Sequence, residues 1–184
     1  RDQLLRLQSV GPAFALNRLR LLDDAGLEVG VGEVGELHST SPYLFNGYWN
    51  QPDETSAALK DGWVTAGDLA RMDEDGFVYI VDRKKDMVVT GGINVYPREV
   101  EETLHRHPAV QEAAVIGVPD EKWGEALVAY VVPRRGMHVA ATELDAHCRA
   151  TLAGYKVPMA FREIGALPRN AGGKVLKNEL RALA

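Results

Sequence analysis

The sequence predicts an α+β fold, a β-rich segment followed by a smaller lobe of interleaved strands and helices. Three observations carry this. Stretches of strand length, alternating or wholly apolar, recur from Leu19 to Ile164. The longer helical patterns, opening at Pro97 and Thr142, sit in the second half. Charge also divides the chain: residues 1–84 hold 8 basic and 14 acidic residues (net −6), residues 85–184 hold 13 and 12 (net +1), together −5. The step falls at Arg83-Lys84-Lys85, and a charge step at a polar point marks a domain boundary. The predicted domains are therefore 1–84 and 85–184.

The first domain reads as follows. Leu19 and Leu21 alternate with Arg18 and Arg20, the pattern of a half-buried strand. Asp23-Asp24-Ala25-Gly26 is a turn, and Val34 to His38 a second strand. After Pro52, Asp53-Glu54-Thr55 is expected to cap a helical piece over 53–59. Asp73-Glu74-Asp75-Gly76 is a hairpin turn, and Phe77 to Val81 the strand that leaves it.

In the second domain, Asp86 to Thr90 reads as a short strand ending at Gly91-Gly92. Pro97 suits the first turn of a helix, and Glu99, Glu101 and Glu102 favour its positive end. Val100, Leu104 and His107 mark its inner face. Ala113 to Val118 and Ala126 to Val132 are apolar strands. Thr142 is expected to cap a helix with Leu144, Cys148 and Leu152 inward, ended by Gly154. A strand around 161–164 and a helix from about Lys177 complete the pattern.

Composition excludes several classes. At 46% hydrophobic and 26% charged, the chain has enough apolar side chain for a core, so disorder is not its main state. No apolar run approaches the roughly 18–20 residues of a membrane span. The start, Arg1-Asp2-Gln3-Leu4-Leu5-Arg6, lacks the layout of a signal peptide. Arg1 in place of Met predicts a processed product or a piece of a longer chain. A single cysteine, Cys148, allows no internal disulfide and suits a reducing, cytoplasmic setting. The net charge of −5 argues against a dedicated nucleic-acid partner.

Some motifs are decoys. Gly30-Val31-Gly32-Glu33-Val34-Gly35 matches G-x-G-x-x-G but runs on into a strand instead of opening a helix. Gly172-Gly173-Lys174-Val175 resembles the end of a phosphate loop but has Pro168 for its first glycine and Val175 for Ser/Thr. His105 and His107 have no evident third ligand, so no metal site is predicted. Cys148 reads as core.

Four segments place polar groups beside glycines. Gly62-Trp63-Val64-Thr65-Ala66-Gly67-Asp68 reads as a tight turn whose carboxylate could accept hydrogen bonds from vicinal hydroxyls. Asp82-Arg83-Lys84-Lys85-Asp86 is a charged boundary. Thr90-Gly91-Gly92-Ile93-Asn94-Val95-Tyr96-Pro97 lets backbone approach a ligand closely. Leu167-Pro168-Arg169-Asn170-Ala171-Gly172-Gly173-Lys174 puts a lysine on a glycine-rich loop, where its ammonium can meet charge developing on oxygen. Each alone also reads as a turn, cap or solvated charge run.

In this order, with Gly35-Glu36-Leu37 and Gly47-Tyr48-Trp49-Asn50-Gln51-Pro52-Asp53-Glu54-Thr55 ahead of them, these segments closely resemble the adenylate-forming superfamily of acyl-CoA synthetases, adenylation domains and luciferases. The stretch from Asp82 to Pro97 looks most like the medium- to long-chain fatty acyl-CoA ligases. The resemblance implies a reaction of carboxylic acid, ATP and CoA through an acyl-adenylate, giving acyl-CoA, AMP and pyrophosphate. It implies that Asp68 holds the ribose and that Arg83 stands beside it on the nucleotide. Lys174 is the implied catalytic lysine, and Lys85 the hinge of a mobile small lobe. Gly91, Gly92, Trp123 and Tyr155 are implied to line the CoA path.

The resemblance also implies limits. Ala66 stands where a threonine usually precedes the glycine, and Asn170 and Gly172 replace threonines ahead of the lysine. Ser9-Val10-Gly11-Pro12 lacks the basic residue often found after the glycine. The phosphate loop, the magnesium ligands and the acyl pocket fall upstream of these motifs in relatives. Residues 1–84 are thus expected to be a β-rich, incomplete remnant of a large N-terminal lobe, and 85–184 the complete mobile lobe. The chain is expected to be inactive alone, with the N-terminal lobe as its partner. Two alternatives stand beside the acyl-CoA ligase: an adenylation domain that loads a carrier protein, and a stand-alone nucleotide- or CoA-binding lobe of a split enzyme.

Overall fold

A computed structural model describes residues 6–184; the reading of the first five residues lies outside it. The chain divides into two compact units, one ending at Lys85 and the other Asp86–Ala184. The architecture is α+β, with mostly antiparallel sheets and few helices.

The first unit holds β1 (Arg18–Leu22), β2 (Val34–Thr40), α1 (Pro52–Ala58), β3 (Leu59–Lys60), β4 (Trp63–Met72) and β5 (Val78–Arg83). All pairings among its strands are antiparallel. β4 is central, with β2 along one edge and β3 and β5 sharing the other. Leu21, Ala70 and Val78 form its buried core. α1 begins one residue earlier than expected. Its N-cap is Gln51 with no side-chain cap, and Pro52 stands at the start of the helix, where its missing N–H costs no intrahelical bond.

The larger departure is β4. The Trp63–Met72 segment is one ten-residue strand, so Asp68 lies within a strand and not in a tight turn. Gly67 takes φ +74°, and Leu37 alone of β2 faces residues 66–68, between the pairs Glu36↔Leu69 and His38↔Thr65. The turn-like residues make a β-bulge that aims a side chain without ending the strand.

The second unit holds β6 (Val88–Thr90), β7 (Ile93–Val95), α2 (Pro97–His105), β8 (Val110–Asp120), β9 (Gly124–Pro133), α3 (Ala141–Arg149), β10 (Ala160–Glu163) and α4 (Lys177–Ala182). β9 pairs antiparallel with β8 along its length, parallel with β10, and with β6 at Gly124. Leu127, Ala129 and Val131 face a core shared with Val100 and Leu104 of α2 and Leu144 and Cys148 of α3. Val128, Tyr130 and Val132 face the other core, with Leu167 and Leu180 of the C-terminal segment. Burial on both faces explains why these strands read as continuous apolar runs.

Three further expectations change. Asp86 belongs to a 3-10 turn, Lys84–Asp86, and the strand starts at Val88. α3 is capped at Ala140 with no side-chain bond, so Thr142 is inside the helix. The helix ends at Arg149; Leu152 packs on the core from beyond it, and Gly154 opens a 3-10 turn. Among the described residues no helix is long and apolar enough to cross a membrane.

Candidate functional site

The structure gathers the candidate residues into three places. In the first unit, Ala66, Gly67, Arg83, Lys84 and Lys85 line a recess of about 360 Å³. Asp68 stands opposite Arg83 across the β4–β5 ladder, and Arg83 Nε lies 2.7 Å from Asp68 Oδ1. Arg83 Nη1 donates to the Ala66 carbonyl at 3.0 Å. The pair is partly solvated, so as a stability element it contributes at most about 1 kcal/mol. Its significance is placement: a carboxylate and three cations meet at a bulged backbone.

Sequence reasoning missed the support behind this recess. Thr65 Oγ1 accepts the Gly67 N–H at 3.0 Å and donates to Glu36 Oε1 at 2.8 Å. Lys84 Nζ lies 2.9 Å from Glu36 Oε2 and 2.9 Å from Asp24 Oδ1. Burial pushes the Glu36 carboxyl up, but hydrogen bonds from Lys84 and Thr65 outweigh it and hold the carboxyl below its ordinary value. Bonds to Asp24 and Glu36 raise Lys84 despite its partial burial. The available signal was a threonine two residues before a glycine, the spacing of a hydroxyl-to-backbone turn.

In the second unit, Gly91, Trp123 and Tyr155 meet in one cavity of about 330 Å³, completed by Thr90, Ile93, Ala126, Leu127, Gly154, Val157 and Met159. β6 delivers Gly91 beside the β8–β9 turn, where its N–H donates to the Trp123 carbonyl at 2.8 Å. Gly91 takes φ +57°, and a Cβ there would lie 3.1 Å from Trp123 Cε3. The left-handed backbone favours glycine, and an added Cβ would press on the Trp123 indole. Gly92 also has positive φ, +78°, and makes the β6–β7 turn with Gly91, but it does not line the cavity. Asp120 Oδ1 accepts the N–H groups of Lys122 and Trp123 and sets the turn. Trp123 and Tyr155 are both half-exposed, so the indole is a wall of the cavity and not core.

Lys174 stands apart from that cavity. It directly follows the turn of a small hairpin closed by the Arg169↔Val175 bridge. Asn170 holds the turn: its Oδ1 accepts the Lys174 N–H at 2.9 Å, and its backbone pairs with the Lys174 carbonyl at 3.0 Å. Gly173, at φ +81°, turns the chain. Arg169 ties the hairpin down, donating to the Gly173 carbonyl and to Glu112 Oε2 at 2.7 Å. Lys174 itself is exposed. Glu112 lies near the start of β8, whereas Trp123 follows its end.

The motifs set aside take ordinary roles. Gly30 N–H donates to Glu33 Oε2 in a turn before β2. His105 binds the Glu101 carbonyl, and the buried His107 contacts Glu143. Burial, then the Asp145 charge, push the Cys148 thiol up to about 11. Among the described residues no three His, Cys, Asp or Glu side chains are placed to hold a metal ion.

Residues 99–174 match the AMP-binding enzyme C-terminal domain family. A medium/long-chain-fatty-acid–CoA ligase of Mycobacterium tuberculosis is 47% identical over 96% of this chain and 32% of its own length. A feruloyl-CoA synthase of Amycolatopsis is 44% identical over 96% of this chain and 36% of its own. The o-succinylbenzoate CoA synthetase of Bacillus subtilis, solved with its acyl-adenylate intermediate, superposes with a TM-score of 0.91 at 38% identity, over 97% of this chain and 36% of that one. The chain spans about a third of the length of these relatives.

Proposed function

We propose an activity on the premise that this chain belongs to the adenylate-forming superfamily of acyl-CoA synthetases and carries its C-terminal portion. These residues serve an ATP-dependent acid–thiol ligase whose acid is a medium- or long-chain fatty acid. A carboxylate resists attack by a thiol because its carbonyl carbon is electron-rich and has no good leaving group. In the first half-reaction a carboxylate oxygen attacks the α-phosphorus of ATP, the bond to pyrophosphate breaks, and an acyl-adenylate forms. In the second, the CoA sulfur attacks the acyl carbon, the bond to AMP breaks, and the thiol proton is released.

Each residue has a role suited to its surroundings. Asp68, aimed by the bulge, accepts the ribose hydroxyls, and Arg83 orients it. Lys174, exposed beside its hairpin turn, meets the charge that gathers on the carboxylate and α-phosphate oxygens. Gly91, Trp123 and Tyr155 shape the path of the pantetheine thiol, and Gly92 completes the turn that carries Gly91. Magnesium, whose ligands the resemblance places upstream of these motifs, finds no fit among the described residues.

One observation carries the reading. The Lys174 hairpin and the Trp123–Gly91 cavity are held at opposite ends of the same strand pair. Glu112 and Asp120 are eight residues apart on β8, about 27 Å at strand rise. Two places so far apart on one rigid element do not serve the same acyl carbon at once. A two-stage reaction in which this unit presents first one end and then the other uses both. Lys85, the last residue of the first unit, is then the pivot.

The test is to assay the half-reactions separately in the full enzyme that carries these residues. Lys174→Ala is expected to lower acid-dependent ATP–pyrophosphate exchange about 10²–10³-fold. It should leave acyl transfer from supplied acyl-adenylate to CoA unchanged. Trp123→Ala is expected to do the reverse. Equal losses in both half-reactions for either variant would overturn the assignment. The similarity to feruloyl-CoA synthase favours a second acid class, and competition between palmitate and ferulate decides between the two.

A further inference from the structure

The support beneath Asp68 is more elaborate than a cross-strand ion pair requires. Residues 66–68 bulge out of the β2–β4 ladder, so the Gly67 N–H has no β2 partner. Thr65 supplies one within its own strand, its Oγ1 accepting that N–H at 3.0 Å. The bond it accepts sets where the oxygen stands, but would leave the hydroxyl proton free to turn about the Cβ–Oγ bond. Here its proton is committed to Glu36 Oε1 at 2.8 Å, which gives the side chain a second anchor. Glu36 is fixed in turn through Oε2 by Lys84, at 2.9 Å. Lys84 follows Arg83 directly, and Arg83 grips the other side of the bulge through the Ala66 carbonyl at 3.0 Å. The loop of contacts closes on itself: Arg83 ends directly on the segment that presents Asp68, and Lys84, shared with Asp24, reaches it through Glu36 and Thr65.

We propose that Thr65 and Glu36 are positioning residues that set where the Asp68 carboxylate stands. The recess is lined by Ala66, Gly67, Arg83, Lys84 and Lys85; Asp68 adjoins it through its pairing with Arg83, and Thr65 and Glu36 stand one contact further back. They act through the Gly67 peptide. With Ala66 supplying no hydroxyl of its own, Thr65 is the side chain that gives this bulge a fixed pose. A carboxylate that accepts from two vicinal hydroxyls at once tolerates little displacement, since both bonds depend on one orientation. The inference rests on the reading of Asp68 as the ribose carboxylate, and the experiment separates the two.

In the full enzyme, KM for ATP is compared with KM for 2′,3′-dideoxy-ATP, which offers Asp68 nothing to hold. Asp68→Ala is expected to collapse the preference for ATP. Thr65→Val is expected to raise KM for ATP about tenfold with kcat little changed. KM for the dideoxy analogue should not move. Thr65→Ser keeps the hydroxyl and should restore the ATP value. Glu36→Gln, which keeps the size but loses the grip of Lys84, should fall between parent and Thr65→Val. If Thr65→Val melts early, the Glu36→Gln ratio decides. If Asp68→Ala leaves the preference intact, the ribose reading fails. If Asp68→Ala collapses it while Thr65→Val and Glu36→Gln do not, the positioning role alone is overturned. A loss in Thr65→Val that Thr65→Ser does not restore also overturns it.

Discussion

The two units hold their candidate sites by different means. The sheet of the second unit is covered on both faces, with α2 and α3 over one and the C-terminal segment over the other. Its cavity is walled by side chains that grow directly out of that core, and Leu127 and Val157 belong to both. The first unit buries Leu21, Ala70 and Val78 in its sheet. Its recess is shaped by Arg83–Asp68, Lys84–Glu36 and the Thr65 hydroxyl. Apolar packing resists salt and pH and yields to cavities. A network of charges and hydrogen bonds does the opposite. The comparison therefore says which perturbation should reach which site.

The largest expected difference is in autonomy. Residues 86–184 produced alone should melt cooperatively, and residues 1–85 alone should not. Cys148 reports on the former, being fully buried with its thiol pushed up to about 11. A thiol reagent at neutral pH should leave it untouched until the second unit unfolds. Rapid labelling of native 86–184 would break the comparison at its base. Leu180→Ala follows in size. Leu180 is fully buried, and its carbonyl accepts from the Tyr130 hydroxyl at 3.1 Å. Its truncation should cost about 2–5 kcal/mol, read as a lower denaturation midpoint of the second unit. Gly91→Ala is smaller in stability, about 1–2 kcal/mol for the left-handed backbone. It should slow acyl transfer to CoA and spare adenylation, because the added methyl presses on Trp123. Equal slowing of both half-reactions would detach Gly91 from the thiol path.

What could be read from the residues divides along the same line. The strands of the second unit were legible because burial on both faces writes itself as apolar runs such as Ala126 to Val132. The Asp73–Gly76 hairpin was legible because Asp73 Oδ1 takes the N–H groups of Asp75 and Phe77 locally. β4 was misread at Asp68 because a bulge and a turn use the same residue types, and only pairing partners distant in sequence distinguish them. The same blindness hid Glu36, whose partner Lys84 is far along the chain. Helix caps were misplaced at Thr142 and Asp53 because the chain starts those helices at Ala141 and Pro52 without side-chain caps. The meeting of Gly91, Trp123 and Tyr155 was implied by resemblance alone, since nothing local joins three such separate segments.

The smallest expected effect, pH, sharpens the comparison most, because it should act on the first unit in two steps. His38 is held below its ordinary value of 6.5, chiefly by burial; the Glu36 charge opposes this, and Arg20, Lys84 and Lys60 add to it. Glu36 is held below 4.5, where burial opposes the shift and the Lys84 and Thr65 bonds prevail. Both groups bind protons more weakly folded than unfolded. Each therefore contributes stability that is fully present above its ordinary value and is lost as pH falls through its folded value. Acidification should weaken the first unit from 6.5 downward through His38, and again below 4.5 through Glu36. His38→Asn should remove the upper step and keep the lower, and Glu36→Gln should flatten the lower and deepen the upper, since the Glu36 charge opposes the His38 shift. The upper step carries no direct ion pair, so added salt should shift it less than the lower, which rests on Lys84. A pH profile of the first unit with no step below 4.5 in the parent, or a lower step unchanged by Glu36→Gln, would mean that the polar network does not hold this site. The distinction between a packed site and a bonded one would then collapse.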